Sequence, residues 1–351
     1  MKNSFLFIAI VSVTLFIAII SCKKTTYPNY TPPGSTTVTP SLNQLFAPLR
    51  STPQSIYVVA GRDTVVYGTN GTMLHFYANS FKDAMGNVIP NGIINLQLIE
   101  MYKAGDMIRN RATTMANGQI LQSGGQITMT ASMSDGAEVF ANTYGIGFKQ
   151  ANASGASMAL FYGAAGSTDS TITWTQSDST QKGNRVTGTV KDTASQGHTS
   201  SPSYYYFDTC KSLSWANCDW FNSNDSSKTT VSVILPDTSF NATNTQLYLV
   251  LPNVTRWSNT TNPFIAVLSS ISDHYGSDSY NAATNTMKLI SEGQTNIVPA
   301  GLNYDLVVIA NKGGTFYYYE QSGIIPHNGL VAPVNPVAYT QTVIASKLQG
   351  L

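Results

Sequence analysis

Short apolar or alternating runs recur along this chain from about Ser55 to its end, each cut off by a turn signal roughly every 8–12 residues. That spacing is the pattern of a β-sandwich or barrel. Ile93-Ile94-Asn95-Leu96-Gln97-Leu98-Ile99-Glu100-Met101 is the clearest run, with Ile94, Leu96 and Leu98 on one face of a period-two strand. Ile56–Ala60 and Thr64–Tyr67 flank Gly61-Arg62-Asp63, a connection of hairpin length, and Thr72–Tyr77 alternates ahead of a turn at Asp83–Asn87. Gln126–Ala131 and Glu138–Phe140 read the same way, and the longest helical period in this half is Lys103–Arg109. Hydrophobic residues make up 42% of the chain, enough for a real core. The expected fold class is all-β: two antiparallel β-sandwich-like modules.

The same punctuation divides the chain. Residues 51–150 carry the first β-sandwich module, residues 151–203 hold short strands and a Ser/Thr/Gly-rich linker, and residues 204–351 form a second β module. The second module opens at Tyr204-Tyr205-Tyr206-Phe207 and continues through Thr230–Leu235, Gln246–Leu251, Phe264–Leu268, Tyr304–Ala310 and Thr315–Tyr319. Tyr339–Leu348 reads as a short helix with Val343, Ile344 and Leu348 on one side, with a strand as the alternative.

Ahead of the strands, residues 1–21 read as a lipoprotein signal peptide. Lys2 supplies a short positive start, and Phe5–Ile20 is apolar apart from Ser12 and Thr14. About 16 residues is short for a membrane span, which takes ~20, so an uncleaved anchor helix is the weaker reading. Ala18-Ile19-Ile20-Ser21 before Cys22 has the form of a lipobox, which predicts acylation of Cys22. Each buried methylene contributes about 0.8 kcal/mol, and more than one acyl chain gives lasting attachment. Residues 22–50, Thr-rich with Pro28, Pro32, Pro33 and Pro40, read as a lipidated Pro/Thr tether. Ser21-Cys22-Lys23-Lys24 behind an Ile-rich leader resembles the lipoproteins of Bacteroidota-type bacteria, which implies an outer-membrane location. Lys23 and Lys24 replace the acidic residues of a surface-export signal, and the side of that membrane stays open.

A second resemblance covers Gly71–Ala131. Ala78-Asn79-Ser80-Phe81 followed by Asp83 and Gly86, the strand Ile93–Ile99 with Glu100, Asp106-Met107-Ile108 and Gly124-Gly125 resemble a module of uncharacterised Bacteroidota-type outer-membrane lipoproteins. That module looks like a ZU5-like or carboxypeptidase-regulatory-like β-sandwich. Trp215-Ala216-Asn217-Cys218-Asp219-Trp220-Phe221 is similar to a Trp-x-Asn-Cys-Asp element of the same lipoproteins. The resemblance implies a fold and no chemistry.

Charge narrows the partners. Lys+Arg 19 against Asp+Glu 18 leaves a net +1 with only 11% charged residues, so no basic cluster is available to displace the counterions of nucleic acid. With Cys22 committed to lipid, an exported location predicts a disulfide between Cys210 and Cys218, two free buried thiols being the alternative. His75, His198, His274 and His327 are widely spaced and none sits in His-Glu-x-x-His, so neither metal nor cofactor is expected. His274 alone has an adjacent carboxylate, Asp273, and neighbours on a strand point to opposite faces. Ser179-Thr180-Gln181-Lys182 fits Ser-x-x-Lys but lacks a following Lys-Thr-Gly, and reads as loop. Asp83–Asn87 reads as a turn before a calcium loop, and Asp106 as a helix cap. No catalytic residues are assigned.

Two features point toward binding or modification. Tyr204, Tyr206, Trp215, Trp220, Tyr317 and Tyr319 are candidate ligand-stacking aromatics, against the plainer reading that they pack a core. Asp63-Thr64-Val65, Asp169-Ser170-Thr171, Asp178-Ser179-Thr180 and Asp192-Thr193-Ala194 resemble the O-glycosylation acceptor of Bacteroidota-type exported proteins. The expected role is non-enzymatic binding, adhesion or scaffolding at the envelope, moored to the membrane by lipid, with an envelope protein or glycan as partner. The second reading is a glycan-handling lipoprotein that binds carbohydrate or hydrolyses glycosides.

Overall fold

A computed structural model describes residues 46–116, 118–150, 158–165, 172–177, 184–186, 203–221, 227–252, 265–270, 279–290 and 294–351. These fall within one compact unit, Ser35–Leu351. The leader, Cys22, Ser179, His198, His274 and the side chain of Trp220 lie outside the described residues.

Ile93–Met101 forms the strand its alternation demands: Ile94, Leu96 and Leu98 are fully buried and Ile93 is exposed. It pairs with Gln54–Val59 on one side, Ile56 opposite Leu96, and with Gln119–Met133 on the other, Leu96 opposite Ala131. Trp215–Phe221, Ala159–Ala165 and Ile172–Gln176 extend this sheet, and Met115–Ala116 pairs onto Gln119–Met133, making seven strands. A five-stranded antiparallel sheet runs Asn184–Val186, Ser203–Cys210, Tyr144–Gln150, Met73–Phe76, Thr64–Tyr67. Leu74, Phe76, Ile146, Phe148 and Tyr205 from this sheet and Leu96, Leu98, Ile127 and Met129 from the other belong to one buried cluster, the core of a sandwich.

Three expectations are corrected here. Gly61-Arg62-Asp63 does not close a hairpin, because Gln54–Val59 and Thr64–Tyr67 belong to different sheets and the connection crosses between them. The module boundary at residue 203 is displaced: Ser203–Cys210 and Trp215–Phe221 are inserted between strands of the first sandwich, so Tyr204–Phe207 opens no second module. A strand lying inside a sheet is hydrogen-bonded on both edges, a long-range demand that local composition does not register. The tether also ends before residue 50, since Phe46 and Leu49, on a helical turn at residues 46–49, are buried.

The second half holds a five-stranded sheet, Ala266–Ser269, Thr245–Leu251, Asn303–Lys312, Thr315–Ile324, Val337–Tyr339. A four-stranded sheet runs Tyr280–Asn281, Thr286–Lys288, Val231–Ile234, Leu330–Pro333, its last pair parallel. Every residue of Thr245–Leu251 is buried: Leu247, Leu249 and Leu251 join the core of this half, while Tyr248 and Val250 face a second cluster. That second cluster joins the halves. It gathers Phe46, Leu49, Trp174 and Trp215 with Val267, Val307 and Ile309, and with Met107, Ile108, Ile344 and Leu348 from the helices Ala104–Arg109 and Gln341–Gln349. Backbone bonds cross the same seam: Thr114 N–H donates to Val267 O at 2.8 Å and Ser123 N–H to Ile265 O at 2.9 Å. The helices meet at Gly105, where a Cβ would stand 1.6 Å from Leu348 O. Among the described residues no helix is long and apolar enough to cross a membrane.

Candidate functional site

The inward face of the five-stranded sheet is core; its outward face carries the polar chemistry. Pairing of Thr64–Tyr67 with Met73–Phe76 sets Val65 opposite His75, and the period of two places Asp63 on the same face. His75 Nε2 lies 2.8 Å from Asp63 Oδ1. On Tyr144–Gln150, Ile146 and Phe148 point inward, which leaves Gly145 and Gly147 outward. On Ser203–Cys210, Tyr205 and Phe207 point inward and Tyr204 and Tyr206 outward. The absence of a side chain at Gly145 matters, because a Cβ there would lie 2.0 Å from Tyr206 Oη. The phenol crosses over this glycine and comes within 3.2 Å of His75 Nδ1 and 3.2 Å of Tyr77 Oη.

Proton counting orders the network. Tyr77 Oη donates to Asp208 O at 3.1 Å, so it accepts from Tyr206, whose own oxygen is then left to accept from His75 Nδ1. The Asp63 carboxylate accepts from Nε2. All four contacts carry a hydrogen when both nitrogens of His75 are protonated. Burial first, then the hydrogen bond with Tyr77 and the charge of Asp208, push the Tyr206 phenol well above its ordinary value. Tyr206 therefore keeps its proton and serves as a hydrogen-bonding group. The rings of His75 and Tyr77 lie 4.5 Å apart, and Tyr67 stands exposed further along the edge strand, opposite Met73.

The other sequence candidates are scattered. Tyr204 shares the outward face of Tyr206 but is 6% exposed, packed along Gly147. Trp215 is buried in the seam, edge-on to Trp174 at 6.4 Å, and presents no surface to a ligand. Tyr317 packs edge-on to Phe240 at 5.3 Å, with the Lys312 ammonium over both rings. Tyr319 donates to Gln321 Oε1 at 2.8 Å beside a groove on the second half. The expected disulfide is also corrected: Cys210 and Cys218 are both free and buried. They sit on strands of different sheets, and burial pushes both thiols well above their ordinary value.

The remaining carboxylates hold structure. Glu100, at the end of its strand, accepts from the backbone N–H of Asn70 and Thr72 and from Gln54 Nε2, each at 2.8 Å, and so pins the turn between Tyr67 and Met73. Asp83 Oδ1 accepts from the N–H of Met85 and Asn87, the turn read from sequence, and the Asn87 side chain holds its carboxyl below the ordinary value. Asp106 pairs with Arg109 within its helix and makes no N-cap bond; the N-cap position is Lys103. Among the described residues no group of three or more His, Cys, Asp or Glu is placed to hold a metal.

Sequence reading passed over Asp63, His75 and Tyr77 because it paired the wrong strands. The signal was present: a turn at Gly68–Gly71 between two alternating runs sets the register that brings Asp63 to His75. Neither a scan against protein-family models nor a search of curated proteins finds a match for this chain.

Proposed function

We propose that this chain is an envelope lipoprotein, acylated at Cys22 and held at the outer membrane, with a non-enzymatic binding role toward an envelope glycan. The observation that carries this reading is the outward tyrosine–histidine face of the five-stranded sheet. Tyr206, Tyr77, His75 and Asp63 hold one another in place, so hydroxyl, imidazole and carboxylate are presented to solvent in fixed geometry with little ordering left for a ligand to impose. The lipobox at Ala18–Ser21 and the resemblance of Gly71–Ala131 to modules of Bacteroidota-type lipoproteins support the location.

The test uses the full chain in mild detergent, applied to an array of bacterial envelope glycans and to a panel of glycosidase substrates. Retention on a glycan that is lost when Tyr77→Ala and Tyr206→Ala are combined is the expected result. Turnover of any substrate refutes the non-enzymatic role, and retention on immobilised envelope proteins alone refutes the glycan class. A Cys22→Ala chain that fractionates with membranes as the natural one does refutes the anchor.

A further inference from the structure

The second half carries a separate cavity of about 390 Å³, open to solvent, where its five-stranded sheet runs out of partners. Thr315–Ile324 pairs along its whole length with Asn303–Lys312, but Val337–Tyr339 covers only Phe316, Tyr317 and Tyr318 on its other edge. From Tyr319 onward that edge pairs with no strand among the described residues. Tyr318, Tyr339, Glu320, Gln321, Asn335 and Lys347 line the resulting groove.

Its chemistry is amphoteric. The Lys347 ammonium stands over two rings, 5.2 Å from the centre of Tyr318 and 5.1 Å from that of Tyr339. These contacts fix the cation while leaving its N–H groups directed by no carboxylate, since among the described residues Lys347 and Glu320 form no ion pair. Tyr318 Oη donates to Glu320 Oε2 at 2.8 Å and so orients the carboxylate, whose other oxygen has no hydrogen-bond donor among the described residues. Gln321 is held between Tyr319 and Tyr304. Those two tyrosines lie on the opposite face of the strand from Tyr318 and Glu320; on the groove side a fixed acceptor, a fixed cationic donor, Asn335 and the half-exposed ring of Tyr339 converge on one open volume.

We propose that this groove binds a neutral mono- or disaccharide unit. Each sugar hydroxyl both donates and accepts, which matches a lining that offers both in balanced charge, and the C–H face of a pyranose matches the Tyr339 ring. The volume is within the range of small-ligand sites, and its open side leaves room for a longer chain to continue outward. This site lies on strands other than the tyrosine–histidine face and rests on the same ligand class.

Full-length protein in detergent is titrated by calorimetry and saturation-transfer NMR with glucose, galactose, mannose, N-acetylglucosamine, cellobiose and maltose, and with glycine and alanine as zwitterionic controls. At least one sugar is expected to bind saturably, and Glu320→Gln and Lys347→Met are each expected to weaken it about tenfold or more, the cost of a hydrogen bond to a charged group. Tyr206→Phe is expected to leave it unchanged. No saturable sugar binding, tighter binding of the amino acids, or sugar binding that survives both groove substitutions overturns the proposal. If binding falls with Tyr206→Phe instead, the groove assignment is wrong while the reading of the tyrosine–histidine face stands.

Discussion

Asp219 is fully buried, and its replacement by Asn gives a quantitative test of the packing around Trp215–Phe221. Alternation sends Ala216 and Cys218 into the sandwich core and Trp215, Asn217 and Asp219 to the opposite face. There Asn217 Nδ2 donates to Asp219 Oδ2, Ser123 Oγ donates to Asn217 Oδ1 at 3.0 Å, and Asp219 Oδ1 has no hydrogen-bond partner. Burial pushes this carboxyl well above its ordinary value, against the opposing hydrogen bond of Asn217. The folded state therefore keeps a proton that the unfolded chain loses near pH 4. Stability is greatest below that pH and falls as pH rises, until the folded-state carboxyl itself ionises. Linkage sets the slope at about 1.4 kcal/mol per pH unit. Asparagine does not titrate and fits the same space, so the stability of Asp219→Asn relative to the natural chain is expected to rise with pH, at up to that slope, for as long as the folded carboxyl keeps its proton. At roughly 2.1 cal/mol/K per residue over a unit of about 300 residues, that slope is a relative gain in Tm of at most ~2 °C per pH unit. Calorimetry of both proteins in matched buffers at pH 5, 6 and 7 reads it directly. A difference that stays constant or narrows with rising pH refutes the assignment of a neutral buried carboxyl.

Other outcomes follow from the packing. Gly105→Ala drives a Cβ against Leu348 O and is expected to cost about 1–3 kcal/mol by separating the two helices, seen as a lower midpoint in urea unfolding. Phe46→Ala empties a site in the seam and also removes the ring beneath Arg111, 5.4 Å away; a loss of about 3–5 kcal/mol is expected, and a change within 0.5 kcal/mol would return residue 46 to the tether. Cys210 and Cys218 are expected to resist a thiol reagent in the folded protein and to react, both of them, once it is unfolded without reductant. Failure to react after unfolding would show the two joined.

The elements that sequence alone determined are those whose information is local. Ile93–Met101 needs only a period of two and apolar residues at every second place. The closing helix was legible only as one of two readings, with a strand as the other; the structure forms it at Gln341–Gln349, capped by Thr340, with Ile344 and Leu348 buried and Val343 exposed. The turn at Asp83–Asn87 is likewise written in its own five residues, because the Asp83 side chain bonds the backbone it terminates. Thr245–Leu251, Asn303–Lys312 and the first half of Thr315–Ile324 were legible for the same reason, whereas Thr286–Lys288, Leu330–Pro333 and Val337–Tyr339 were not read as strands.

What tertiary structure decided is which strands are neighbours. Thr64–Tyr67 pairs forward with Met73–Phe76 and not back with Gln54–Val59, and that one choice creates the Asp63–His75 contact and with it the candidate site. Tyr204, Tyr206, Trp215 and Tyr317 look alike as aromatic residues in strands, yet the fold sends Tyr206 across a glycine to solvent and Trp215 into a seam between two sandwiches. The physical reason is that a strand states how its own side chains alternate, whereas its unpaired N–H and C=O groups can be satisfied by any other strand. Only the packing of the complete chain selects among those partners, and the selection decides which face meets the core and which meets a ligand.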